Sequence, residues 1–86
     1  MAKRLIVDIG NSSAKAALFE GDTPIEETRV DHEALPCFFI AQAMDSTIGS
    51  AIVSSVIPLT EEVEHAIKRL PYPCLRMSAQ LKMPFD

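Results

Sequence analysis

Apolar positions in this chain fall into short runs separated by Gly, Pro and Asn, and each run carries its own period. Leu5 to Ile9 is branched and apolar on both faces until Asp8 interrupts it, the pattern of a central strand. Gly10-Asn11 is a turn signal, and from Ser13 the run Ser-Ala-Lys-Ala-Ala-Leu-Phe-Glu predicts a second strand closed by Gly21-Asp22. Thr23-Pro24 opens a third strand, Ile25 to Val30, in which Glu26, Thr28 and Val30 alternate with Glu27 and Arg29. Its polarity predicts an edge position. The two short connections impose antiparallel pairing on these strands.

Between Asp31 and Met44 two signals compete. Asp31 could cap a helix, but Pro36 would then fall inside it and remove a hydrogen bond. A helix with Pro36 in its first turn resolves the conflict and carries Phe38, Phe39, Ala41 and Met44, with Phe38, Phe39 and Met44 expected in the core. Asp45 to Ser50 reads as a loop and Ala51 to Ile57 as a second fully apolar strand stopped by Pro58. Thr60 is the expected N-cap of a second helix. Glu61 and Glu62 stand in its first turn and Lys68 and Arg69 in its last, as the helix dipole favours. Val63, Ala66, Ile67 and Leu70 form its apolar stripe. Pro71 and Pro73 end it, and Cys74 to Met77 completes the order β-β-β-α-β-α-β. The final strand-helix-strand unit requires parallel pairing, so the expected class is α/β with a mixed five-stranded sheet.

Size and composition narrow the reading. A chain of 86 residues is at most one small domain, with 48% hydrophobic residues typical of a globular protein. At this length only about 60–65% of the unfolded surface is buried, so stability without partners is marginal. The sequence stops at Met83-Pro-Phe-Asp86 without a polar tail, which suggests a piece of something larger. With 12 acidic against 8 scattered basic residues, nucleic acid is not an expected partner. No apolar run approaches the ~18 residues of a membrane span, and Asp8 interrupts the leader-like start. Cys37 and Cys74 are too few for a disulfide framework; buried thiols in a reducing cytosol are the expected state, with a single bridge left open. His32 and His65 lack metal spacing, and Glu61/His65 and Glu64/Lys68 are expected surface pairs.

The chemistry concentrates in Leu5 to Lys15. A strand runs into a carboxylate, then a tight turn with two hydroxyls, then a strand that opens with a cation. Asp8, the turn amides, Ser12, Ser13 and Lys15 are the parts that hold a Mg²⁺-bound polyphosphate at the mouth of a hairpin. Neither the P-loop nor the dinucleotide glycine motif is present. The structural alternative is a plain hairpin with Asp8 capping the turn. Ser54 and Ser55 read as hydrogen-bonded residues of an apolar strand.

The segment Asp8-Ile-Gly-Asn-Ser-Ser-x-Lys15 resembles the first phosphate motif of the superfamily of acetate and sugar kinases, heat-shock chaperones and actin. Together with Val53-Ser-Ser-Val-Ile-Pro58 and the Thr-capped stretch Leu59 to Leu70, it looks most like type III pantothenate kinase. The resemblance implies an incomplete ribonuclease H-like/actin-like ATPase domain, with residues 1–86 forming the N-terminal part of the first actin-like domain and the second domain absent. It implies ATP binding by Asp8, Ile9, Gly10, Asn11, Ser12, Ser13, Ala14 and Lys15, with Asp8 organising Mg²⁺ through water. It also implies pantothenate as substrate, a monovalent cation (K⁺ or NH₄⁺), a cytoplasmic location, and a homodimer in the full-length family. The family's catalytic base lies in a Gly-Ala-Asp-Arg segment that has no counterpart up to Asp86, so the chain alone is expected to be inactive. A non-catalytic nucleotide-binding or dimerising module is the alternative.

Overall fold

A computed structural model describes residues 2–78. Three strands come first: β1 (Lys3–Ile9), β2 (Ser13–Glu20) and β3 (Thr23–Asp31). A 3₁₀ turn (His32–Ala34) leads into α1 (Leu35–Ala43), followed by β4 (Ile48–Ser55), α2 (Glu61–Lys68) and β5 (Cys74–Ser78). The sheet order is β3-β2-β1-β4-β5. β1–β2 and β2–β3 are antiparallel, whereas β1–β4 and β4–β5 are parallel. The fold is therefore α/β with a five-stranded mixed sheet and two helices, as expected of part of an actin-like ATPase domain. β1 is central and β3 lies at an edge, both as their patterns predict.

Strand alternation sorts the sheet into two faces. Leu5, Val7 and Ile9 of β1, Ala14, Ala16 and Leu18 of β2, and Ala51 and Val53 of β4 are buried. They form one core with Leu35 and Phe39 of α1 and with Val63, Ala66, Ile67 and Leu70. Each fully buried large side chain contributes about 1.5–3 kcal/mol. The opposite face carries Ile6, Asp8, Lys15, Ala17, Ile52 and Leu75, the last 60% exposed. Both helices thus cover one side, and the site residues lie on the other.

The second helix follows its sequence signals closely. Thr60 Oγ1 accepts the Val63 amide at 3.3 Å, and all four stripe residues are buried. The first helix carries Pro36 in its first turn, as the proline demands; Asp31 ends β3 and makes no side-chain cap. Met44 corrects the expectation for the core, since it is 81% exposed while Phe39 is fully buried. Met44 is the C-cap of α1, already rotated off the stripe that meets the sheet.

β4 is displaced from its expected span. It begins at Ile48 and ends at Ser55, three and two residues earlier than apolarity alone predicts. The Asp45 carboxylate accepts the amide and the hydroxyl of Thr47, which turns the chain into the sheet early. At the other end the Ser55 hydroxyl donates to the Ile57 carbonyl at 2.6 Å and accepts the Ile57 amide at 3.2 Å, closing a turn. Val56 still donates its amide to the Ile9 carbonyl of β1, whereas Ile57 is apolar but lies beyond the ladder. Both cysteines are free, and Cys37 is exposed rather than buried. Among the described residues, Glu64 pairs with Arg76 of β5 and not with Lys68. The segment Met83 to Asp86 lies outside the described residues. No helix among the described residues is long and apolar enough to cross a membrane.

Candidate functional site

The β1–β2 hairpin ends in the tight turn Gly10-Asn11-Ser12. The Gly10 amide donates to the Ser13 carbonyl at 2.9 Å, which closes the turn. A Cβ at Gly10 would stand 3.2 Å from that same carbonyl oxygen, tighter than ordinary contact, so the position favours glycine on space rather than on φ. The Gly10 carbonyl accepts from His32 Nε2 at 2.8 Å. Ile9 is tied to the parallel neighbour, its carbonyl accepting the Val56 amide at 3.1 Å. Among the described residues no backbone carbonyl takes the amides of Asn11 or Ser12, and both residues are exposed. The turn therefore offers two adjacent N–H donors that no described group takes, a pair that can receive an anion.

Register places the charged groups beside it. Asp8 faces Lys15 across β1–β2, and Lys15 faces Arg29 across β2–β3. Directly opposed side chains of this kind have Cβ atoms about 4.5–5.5 Å apart. All three are exposed on the helix-free face. None of them forms an ion pair with a described residue, so carboxylate and cations remain available to a ligand. They border an open groove of about 450 Å³ that also touches Ile6, Ala17 and Glu27. A groove with an apolar floor and cations along one wall suits a phosphorylated molecule with a flat apolar part.

The eight candidate residues thus divide. Asp8, Asn11, Ser12 and Lys15 are exposed around the turn, and Gly10 and Ser13 are half-buried within it. Ile9 and Ala14 are paired with each other and fully buried on the helix side, so their side chains belong to the core. Ser54 lies beside Asp8 on β4, half-buried. Arg29 and His32 are the residues that sequence reasoning missed. Arg29 was within reach, because counting along two antiparallel hairpins puts it level with Lys15. His32 was not, since its contact with Gly10 bridges 22 positions.

No group of three or more His, Cys, Asp and Glu among the described residues could hold a metal ion. A lone carboxylate still fits Mg²⁺, which retains waters and takes phosphate oxygens instead of an all-protein cage. Other shifted ionisations serve the scaffold. At the opposite end of the sheet the Tyr72 hydroxyl donates to the Gln42 carbonyl at 3.0 Å, and burial pushes its pKa up to about 12. The Arg76 guanidinium donates to both Glu64 oxygens, at 2.8 and 3.2 Å, and holds that carboxyl below its ordinary range.

No family model matches the chain. A type III pantothenate kinase of Phocaeicola vulgatus is 32% identical over 80 residues, covering 93% of this chain and 33% of that protein. A type III pantothenate kinase of Bacteroides fragilis (strain YCH46) is 34% identical over 80 residues, covering 93% of this chain and 32% of that protein. The chain spans about a third of the length of the curated relatives it matches. The resemblance carried by the turn and the later landmarks therefore extends along nearly the whole of the chain, and at family level it is a resemblance to a kinase.

Proposed function

We propose that this chain, similar along nearly all its length to type III pantothenate kinases, is the ATP phosphate-binding portion of such an enzyme. The observation that carries the proposal is the turn itself: Asn11 and Ser12 amides that no described group takes beside an exposed Asp8 carboxylate, with Lys15 directly across. The Asn11 and Ser12 amides, with the hydroxyls of Ser12 and Ser13, contact the terminal phosphates of ATP. Lys15 offsets negative charge, and Asp8 holds Mg²⁺ through water. Bound there, the metal neutralises phosphate oxygens. Phosphoryl transfer rests mostly on such positioning and charge stabilisation.

In this reading residues 1–86 are the N-terminal part of the first actin-like domain. The complete enzyme converts pantothenate to 4′-phosphopantothenate in coenzyme A biosynthesis. It works in the cytoplasm as a homodimer with a monovalent cation, K⁺ or NH₄⁺. The catalytic base and the pantothenate pocket belong to the rest of that enzyme, so this chain binds nucleotide without turning it over.

Calorimetric titration with ATP·Mg²⁺ tests the proposal. Binding in the millimolar range or tighter is expected, weakened about tenfold by Asp8→Asn or Lys15→Ala, as loss of a charge-assisted contact predicts. A flat titration of the unaltered chain overturns it.

A further inference from the structure

We infer that His32 is a positioning residue: its hydrogen bond to the Gly10 carbonyl aims the Asn11 amide at the bound phosphate. The inference rests on the nucleotide-binding reading above and names a residue outside the phosphate motif. A carbonyl oxygen only accepts, so Nε2 carries the proton in the 2.8 Å contact. No peptide bond among the described residues is cis. In a trans peptide the carbonyl of one residue and the N–H of the next point in opposite directions within one plane. Pinning the Gly10 carbonyl toward His32 therefore turns the Asn11 N–H away from it.

The direction matters because of where His32 sits. It opens the 3₁₀ turn that feeds α1, and α1 packs on the helix-covered side of the sheet. The Asn11 amide is consequently turned from the helix layer, toward the side that holds Asp8 and Lys15. A peptide flanked by glycine flips at little steric cost, so the turn alone does not select this orientation. The Gly10 amide is already engaged by Ser13 and stays so in either state. His32 makes the one described contact that separates the two orientations.

Losing a single neutral hydrogen bond shifts such an equilibrium by about three- to tenfold. His32→Ala is expected to weaken ATP·Mg²⁺ binding by that factor, measured by calorimetry at a temperature where circular dichroism shows the variant folded. His32→Gln retains an N–H donor and is expected to recover part of the loss. Tyr72→Phe removes a comparable side-chain hydrogen bond at the far end of the sheet and is expected to leave binding unchanged. In ¹H–¹⁵N spectra of free protein, the Asn11 amide resonance is expected to move more in His32→Ala than any resonance of β4. Equal binding by His32→Ala and the unaltered chain overturns the inference while leaving the nucleotide reading intact. Equal weakening by Tyr72→Phe reduces His32 to general stability and also overturns it. A flat titration of the unaltered chain removes both. Should His32→Ala fail to fold, His32→Phe, which keeps a ring but has no N–H donor, takes its place, and an affinity equal to that of the unaltered chain with the Asn11 resonance unmoved is the contradicting result.

Discussion

Truncating Phe39 to alanine separates the structure's account of the core from the one that apolarity suggests. Phe39 is fully buried, and its ring meets Phe38 edge-on with centroids 5.5 Å apart at 74°. Deleting a buried phenyl group costs about 3–5 kcal/mol, and the aromatic pair adds about 0.5–1.5 kcal/mol. A chain of 86 residues has a total stability of roughly 4–13 kcal/mol. The change therefore removes between about a quarter and all of it. Each kcal/mol corresponds to about 4–8 °C of melting temperature at this size, so Phe39→Ala is expected to fall by about 15 °C or more. Phe39→Leu, which keeps most of the volume, is expected to lose about 1–1.5 kcal/mol and remain folded. Met44, 81% exposed, is expected to shift stability by less than about 0.5 kcal/mol when cut to alanine. Thermal and urea unfolding followed by circular dichroism measures all three. A cost at Met44 equal to that at Phe39, or a loss under 1 kcal/mol for Phe39→Ala, refutes the placement of α1 on the sheet.

Further expectations follow from single contacts. Thr60→Ala is expected to cost about 1 kcal/mol in urea unfolding and Thr60→Asp to restore most of it, because the Oγ1 cap on Val63 is all that changes. Glu64→Gln removes the pairing with Arg76, which is partly exposed and contributes about 0.2–1 kcal/mol. Since Arg76 lowers the Glu64 pKa from 4.5, that stability is present above pH 4.5 and lost as pH falls through the lower folded value. The variant and the unaltered chain should then converge in acid. At Gly21, with φ of 64° and no neighbour within 4 Å of an added Cβ, Gly21→Ala is expected to cost about 0.5–1.5 kcal/mol from backbone strain alone.

What could be read in advance depended on how local the cause was. The Thr60 cap and the buried Val63, Ala66 and Ile67 belong to one helix, with Leu70 just past its C-cap, and a local pattern found them. The central place of β1 was visible because a strand paired on both edges runs through the middle of the sheet, and branched apolar residues fill nearly all of Leu5 to Ile9. The start of β4 was not visible, because the Asp45–Thr47 side-chain bonds that turn the chain early compete with any reading of hydropathy. Glu64 chose Arg76 over Lys68 because β5 brings a guanidinium with two donors against a carboxylate with two acceptors. The candidate site divides along the same line. Asp8, Asn11, Ser12 and Lys15 were legible from one hairpin, whereas the His32 clamp arises only when β3 returns beside the turn. The burial of Ile9 and Ala14 follows from strict alternation on either side of the turn.

The most direct test follows the backbone amides of ¹⁵N-labelled protein as ATP·Mg²⁺ is added. The Asn11, Ser12 and Lys15 resonances are expected to move first and furthest, with a shared dissociation constant that Asp8→Asn raises about tenfold. Shifts confined to α1 and α2, or none up to several times the millimolar range, would contradict the nucleotide-binding reading.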